Sequence, residues 1–195
     1  GPGRAYLFVP PAVKELLDAP ALTLDREREW LRPRLTTDGK PYRVIAELLR
    51  APLPDEPVAG AHGEELLQLP RDLDLPRYRR LLQDAGVPRE PTAAMAAIRS
   101  LLARRCRYER SEPTGPFANA IDNFLFAPDD RHGYCMHFAS AAALLLRVHG
   151  VPCRIAIGVY GGEAMNGARL SRSFGSQHAH AWVEVPFADR GYTVF

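Results

Sequence analysis

One cysteine and one histidine in this chain occupy positions from which they could do covalent chemistry. The stretch RHGYCMHFASAAALLLRVHG (131–150) puts Cys135 directly behind Gly133-Tyr134, at the start of an amphipathic helix whose leucines lie further downstream. A thiol there sits at the positive end of the helix macrodipole, beside backbone N–H groups with no intrahelical acceptor. Such a setting favours the thiolate, the nucleophilic form. The same N–H groups can hold the oxyanion of a tetrahedral intermediate. The chemistry implied is attack on a carbonyl through a covalent acyl-enzyme.

A nucleophilic thiol needs a base, and the chain offers six histidines. His62 falls in a Gly-rich linker, and His149 near a helix C-terminus, where an imidazolium complements the dipole. His132 and His137 flank Cys135, but His137 is two residues along the same helix and points to another side. His178 and His180 remain, in HAHAWVEVP. This segment alternates as a strand should. Ala179, Ala181, Val183 and Val185 make an apolar face, and His178, His180, Trp182 and Glu184 share the opposite one. A strand lining a cleft has that pattern. The plainer alternative is a structural cysteine and a surface histidine. A zinc site drawn from Cys135, His132, His178 and His180 has suitable ligand types, but no Cys-x-x-Cys or carboxylate cluster accompanies it. No acidic run resembles a calcium loop.

The elements that position these residues read as follows. DLPRYRRLLQDAG gives a helix from about Pro76 to Gly86. PTAAMAAIRSLLARRCRY gives a second, with Thr92 as N-cap and Ala94, Ile98, Leu101 and Leu102 on one stripe. Residues 111–134 read as a long loop, of the length that usually carries function. Within it NAIDNFLF (119–126) serves as an anchor, with Phe124 and Phe126 in the core. Gly150 caps the Cys135 helix and Pro152 forbids its continuation. CRIAIGVY (153–160), HAHAWVEVP (178–186) and GYTVF (191–195) read as strands, and GGEAMNGARLSRSFGSQ (161–177) as a flexible loop bordering the cleft. Ahead of these, RAYLFVP (4–10) and PYRVIAELL (41–49) read as short strands, with residues 50–65 as a linker. Gly1–Gly3 look like a remnant of cloning. The expected organisation is a partial β-rich segment over 4–68 and an α+β domain over 69–195, helices first and an antiparallel sheet after them.

Gly133-Tyr134-Cys135, a helix, GVPCRIAIGVYGGE and then HAHAWVEV, in that order, resemble the transglutaminase-like superfamily. The likeness is greatest to a bacterial branch whose domain lies on the periplasmic side of multi-pass membrane proteins. It covers about residues 66–195, including FLF before the cysteine loop and HFAS after it. It implies a papain-like fold and a Cys-His-Asp triad acting on amides, by transamidation or hydrolysis. The family's catalytic cysteine corresponds to Cys135, and the histidine of its His-Ala-Trp to His180. The residue two before that histidine is often Asp in this branch and is His178 here. The substrate implied is a protein or peptide carboxamide as acyl donor, with an amine or water as acceptor. The parent protein is expected to be membrane-anchored and extracytoplasmic. No cofactor or metal is implied. The rival reading is a non-catalytic interaction or scaffold domain of a cell-envelope protein.

The third triad member is the difficulty. Glu184 shares a strand face with His180, but four residues at ~3.3 Å each put it about 13 Å away. An acid must come from the neighbouring strand. A hairpin with a five-residue loop at 186–190 pairs Val185 with Gly191, Glu184 with Tyr192 and Trp182 with Val194, so that position 196 faces His180. The expectation is that residues 1–195 stop just short of the acid. Triad precedent puts the loss of that acid near ~10⁴ in turnover, so this chain alone is expected to be weak or inactive where its parent is an enzyme. For the oxyanion hole, the Cys135 N–H is one donor, and Trp182 and Tyr134 are cleft or second-donor candidates.

Composition narrows the classes. With 46% hydrophobic residues over 195 positions the chain can bury a sizeable core. A net charge of +2, without basic runs interleaved by aromatics, argues against nucleic acid as a partner. Three cysteines are no disulfide framework. Cys106 and Cys153 read as buried hydrophobes, or as a pair in an oxidising compartment.

Overall fold

The computed structural model describes residues 13–17, 22–25, 30–33, 43–46, 63–160, 162–164, 172–187 and 191–195. The chain divides into two compact units, Gly1–Pro52 and Leu53–Phe195. The first contains two antiparallel pairs, β1 (Val13–Leu17) with β4 (Arg43–Ala46), and β2 (Leu22–Asp25) with β3 (Trp30–Pro33). The expected strand within 41–49 corresponds to β4, whereas the one at 4–10 lies outside the described residues.

In the second unit a short helix α1 (Gly63–Leu66) leads to α2 (Leu75–Asp84) and α3 (Pro91–Arg105). Asp74 caps α2 by accepting from Arg77 N. The cap of α3 is Glu90 and not Thr92. Its carboxylate accepts from both Thr92 N and Ala93 N, and Pro91 fills the first helical position, where no N–H is needed. The expected apolar stripe is buried, Ala94 and Ile98 completely.

Residues 111–134 are not all loop. They contain α4 (Ala120–Phe126), capped by Asn119, and β6 (His132–Gly133), which runs parallel to β5 (Arg107–Tyr108). Phe124 is fully buried and Phe126 half-buried. Arg77 of α2 lies over the rings of Phe117 and Phe126, and the Tyr78 hydroxyl donates to Asp122 at 2.8 Å. Burial first, and that bond second, push the Tyr78 hydroxyl well above its ordinary range, so it stays a donor. Asn123 accepts from Phe117 N and donates to Phe117 O, pinning the segment ahead of α4.

The central helix α5 (Cys135–His149) ends at Gly150, whose φ of 96° is the left-handed cap that the sequence demanded. It packs against α2, α3, α4 and, on the other side, the sheet. That sheet has the order β11 (Gly191–Val194), β10 (Ala179–Phe187), β7 (Arg154–Val159), antiparallel throughout, and β8 (Glu163–Ala164) and β9 (Arg172–Ser173) form a separate antiparallel pair. Ala181, Val183, Val185 and Phe187 of β10 enter the core with Leu145 and Leu146 of α5. The architecture is α+β, as expected.

The hairpin register differs from the expected one. Phe187 pairs with Gly191, Val185 with Thr193 and Glu184 with Val194, so β10 runs two residues further and only 188–190 connect the strands. The reason lies in Pro186. Phe195 N donates to Val183 O at 2.8 Å, which makes 183, 185 and 187 the residues bonded to β11. Pro186 therefore turns its nitrogen to the other side, beyond Arg154–Glu184, where pairing with β7 has ended. A proline is harmless there, and continuing the strand buries Phe187.

Leu145 is completely buried between the helices and the sheet. Leu145→Ala should cost about 2–5 kcal/mol of unfolding free energy, measurable as a lower urea midpoint with an unchanged slope.

Candidate active site

Cys135 is the first residue of α5, half-buried, with its own backbone N–H among the helix's unpaired donors. The approach to it is tightly built. β6 is held to β5 by Arg107 N–H donating to Arg131 O and Glu109 N–H donating to Gly133 O. Gly133 must lack a side chain, since a Cβ there would come within 2.9 Å of His137 Cβ and Cγ. His137 consequently folds back over the helix start, where its Nδ1 accepts the Tyr134 N–H at 3.3 Å and its ring meets the edge of Tyr134. His137 is buried and engaged in this cap, which leaves it unsuited as a base for Cys135. The Tyr134 hydroxyl donates to Glu112 Oε1 at 2.8 Å.

His180 lies on β10, the strand on which α5 packs. Its cross-strand partner is Gly158, and that of Trp182 is Ala156. Two small residues opposite two large rings leave the face open. His180 is half-exposed, with the Tyr160 ring 5.4 Å to one side and the Trp182 ring stacked at 6.4 Å on the other. No hydrogen bond joins Cys135 to His180 among the described residues.

Glu184 does not serve His180. It is buried and accepts from Arg154 Nε at 2.9 Å and from Trp182 Nε1 at 3.1 Å. The Arg154 guanidinium lies over the Tyr192 ring. The Trp182 N–H is thus spent on orienting the indole, and the ring forms a wall beside His180. His178 stands off the strand, in a 3₁₀ turn (Ser176–His178), where its Nδ1 accepts Gly175 N–H. His132 Nε2 donates to Glu112 O, and its Nδ1 lies 2.9 Å from Asp130 Oδ2 but out of line for a hydrogen bond. No three metal-binding side chains converge among the described residues.

Sequence reasoning missed Glu112 and the Glu184–Arg154 pair. Glu112 lies outside every recognisable motif, and its partners are 20 or more residues away in sequence. The Arg154–Glu184 pair could have been found from strand pairing, since those residues face each other across β7 and β10.

The transglutaminase-like superfamily matches residues 79–195, a span containing α3, α4, α5 and the main sheet. The chain belongs to that superfamily, a family built for cysteine-based acyl transfer. It is 35% identical over 130 residues to a protein-glutamine gamma-glutamyltransferase of Pseudomonas aeruginosa, covering 65% of this chain and 18% of that protein. It is 37% identical over 78 residues to the uncharacterized protein YebA of Bacillus subtilis, covering 38% of this chain and 10% of that one. The periplasmic domain of TgpA from P. aeruginosa superposes with a TM-score of 0.71 at 27% identity, over 98% of this chain and 64% of that chain. This chain therefore spans under a fifth of the curated relatives and about two thirds of the solved domain. Among the described residues no helix is long and apolar enough to cross a membrane.

The three thiols are free but unequal. Cys106 and Cys153 are buried and donate to Phe124 O and Ala143 O. Burial pushes the Cys106 thiol up to about 11 and raises that of Cys153 as well. Both therefore stay protonated at pH 7–8. Brief iodoacetamide treatment at that pH should mark Cys135 alone, and all three only after denaturation, as read by peptide mass mapping. Equal labelling of the folded protein at the three sites would contradict this burial.

Proposed function

We propose that this domain transfers acyl groups from protein or peptide carboxamides through Cys135, with His180 as general base and then general acid. The observation that carries the reading is Cys135, half-buried at the N-terminus of α5 with its backbone N–H unpaired, inside the family match. The helix that begins at Cys135 packs on the strand that bears His180. His180 takes the thiol proton as sulfur attacks the carboxamide carbon, and the Cys135 N–H supports the developing oxyanion. Collapse expels ammonia, which leaves with the proton from His180 and a thioester on Cys135. An amine or water, deprotonated by His180, then attacks the thioester and releases the thiol. Trp182 walls the imidazole rather than donating to the oxyanion, because its N–H is engaged by Glu184.

The acid that orients His180 belongs to the strand beside β10. Continued past Phe195, the β10–β11 register would set position 196 opposite Trp182 and position 198 opposite His180. Both lie on the face of His180, 196 as its diagonal neighbour. A carboxylate supplied there by the parent protein would complete the triad. The domain is read as the extracytoplasmic part of a membrane-anchored protein, in keeping with the periplasmic origin of the superposed TgpA domain.

The test follows incorporation of a fluorescent primary amine into a glutamine-containing protein, with ammonia release in parallel, using the parent protein. Cys135→Ala should abolish both signals. His180→Ala should lower kcat by roughly 10⁴–10⁶, and Trp182→Phe by far less. Undiminished ammonia release by Cys135→Ala would sink the reading.

A further inference from the structure

We infer that Glu112 is a positioning residue for the Cys135 nucleophile, acting through the tautomer of His137; the inference rests on the acyl-transfer reading above. Glu112 lies in the segment between β5 and α4, yet it touches three residues around the nucleophile. Its Oε1 accepts from the Tyr134 hydroxyl at 2.8 Å, its Oε2 is 3.0 Å from His137 Nε2, and its carbonyl is 3.0 Å from His132 Nε2.

The proton positions follow from the partners. His137 Nδ1 faces the backbone N–H of Tyr134, so Nδ1 must be the bare nitrogen and the ring proton must lie on Nε2. There it meets Glu112 Oε2, which can only accept. The carboxylate thus selects the one neutral tautomer that lets His137 accept the Tyr134 N–H. In the other tautomer two N–H groups would point at each other across that contact. Tyr134 is the residue immediately before Cys135. Holding its N–H, in the Gly133–Tyr134 peptide, from one side and its hydroxyl from the other fixes the residue from which α5 starts, and through it the direction of the Cys135 N–H and thiol. His137 cannot retreat, since its side chain is only 6% exposed and packed between Phe124 and Tyr134. The Glu112 side chain is 67% exposed, so replacing it removes hydrogen bonds without opening the core.

Two variants separate the acceptor from the charge. Glu112→Gln and Glu112→Ala remove the same negative charge, but Gln keeps an oxygen for His137 Nε2–H and can donate to the Tyr134 oxygen. The experiment records the His137 ring tautomer by long-range ¹H–¹⁵N correlation and the rate of iodoacetamide reaction at Cys135 at pH 7, with circular dichroism on each variant. The Nε2–H form is expected in the wild type and in Glu112→Gln, with a mixture in Glu112→Ala. Cys135 should react at least tenfold more slowly in Glu112→Ala than in Glu112→Gln at unchanged helical signal. Equal rates in the two variants, or an Nδ1–H tautomer in the wild type, would overturn the inference. These outcomes are distinct from failure of the acyl-transfer reading, which would show as catalysis surviving Cys135→Ala.

Discussion

A helix that is buried along most of its length but reachable at its first residue is the constraint on which this structure depends. Seven residues of α5 are buried, among helices on one side and β10 on the other. A central helix of that kind usually ends at both termini in turns that satisfy its loose N–H and C=O groups. Here the C-terminus follows that rule through Gly150, and the N-terminus does not. No Ser, Thr, Asp or Asn immediately precedes Cys135, so no side chain caps the first N–H groups of the helix. The cost of an uncapped start, typically ~1 kcal/mol, is offset outside the helix. β5–β6 pairing holds the incoming strand, and His137 closes over the Tyr134 N–H from within the first turn.

The strand that bears His180 meets the same demand differently. A strand face carrying His180, Trp182 and Glu184 places a carboxylate near the core, where an unpaired charge would be costly. Glu184 is matched on both oxygens, by Arg154 from the paired strand and by the Trp182 indole two residues back. The outcome is a rigid wall. Trp182 is held by its own N–H and stacks beside His180, while Gly158 and Ala156 keep the opposite strand low. A polar network that would be a liability elsewhere here sets the ring planes around an imidazole.

Much of this was legible in the sequence, for physical reasons. Helix α5 announced both ends, because a Gly-Tyr-Cys entry and a Gly-Val-Pro exit admit few alternatives. The alternation along β10 correctly separated Ala181, Val183 and Val185, which are buried, from His180 and Trp182, which line the open face. What failed to show was anything that depended on the partner. Pro186 looked like the end of a strand, because a lone sequence does not say on which side the neighbouring strand lies. Thr92 looked like a cap because hydroxyls usually serve there, yet the helix starts earlier and Glu90 caps it, accepting the N–H groups of Thr92 and Ala93. His178 looked like a member of the strand and instead belongs to the turn before it.

Glu112 is the instructive case among the residues that went unseen. Nothing in SEPTGP marks a functional carboxylate, and charged loop residues are mostly solvated. Its significance comes from two hydrogen-bond demands that meet only in three dimensions, the Tyr134 hydroxyl and the His137 Nε2 proton. Motif reading finds the atoms that react because their chemistry restricts residue type. It misses the atoms that hold them, because an acceptor at the right place can be supplied by many residues from almost any segment. The short run from Gly133 to His137 is intelligible only with that outside acceptor included: a glycine to admit the ring, a histidine to cap the turn, and a carboxylate to decide which of its nitrogens carries the proton.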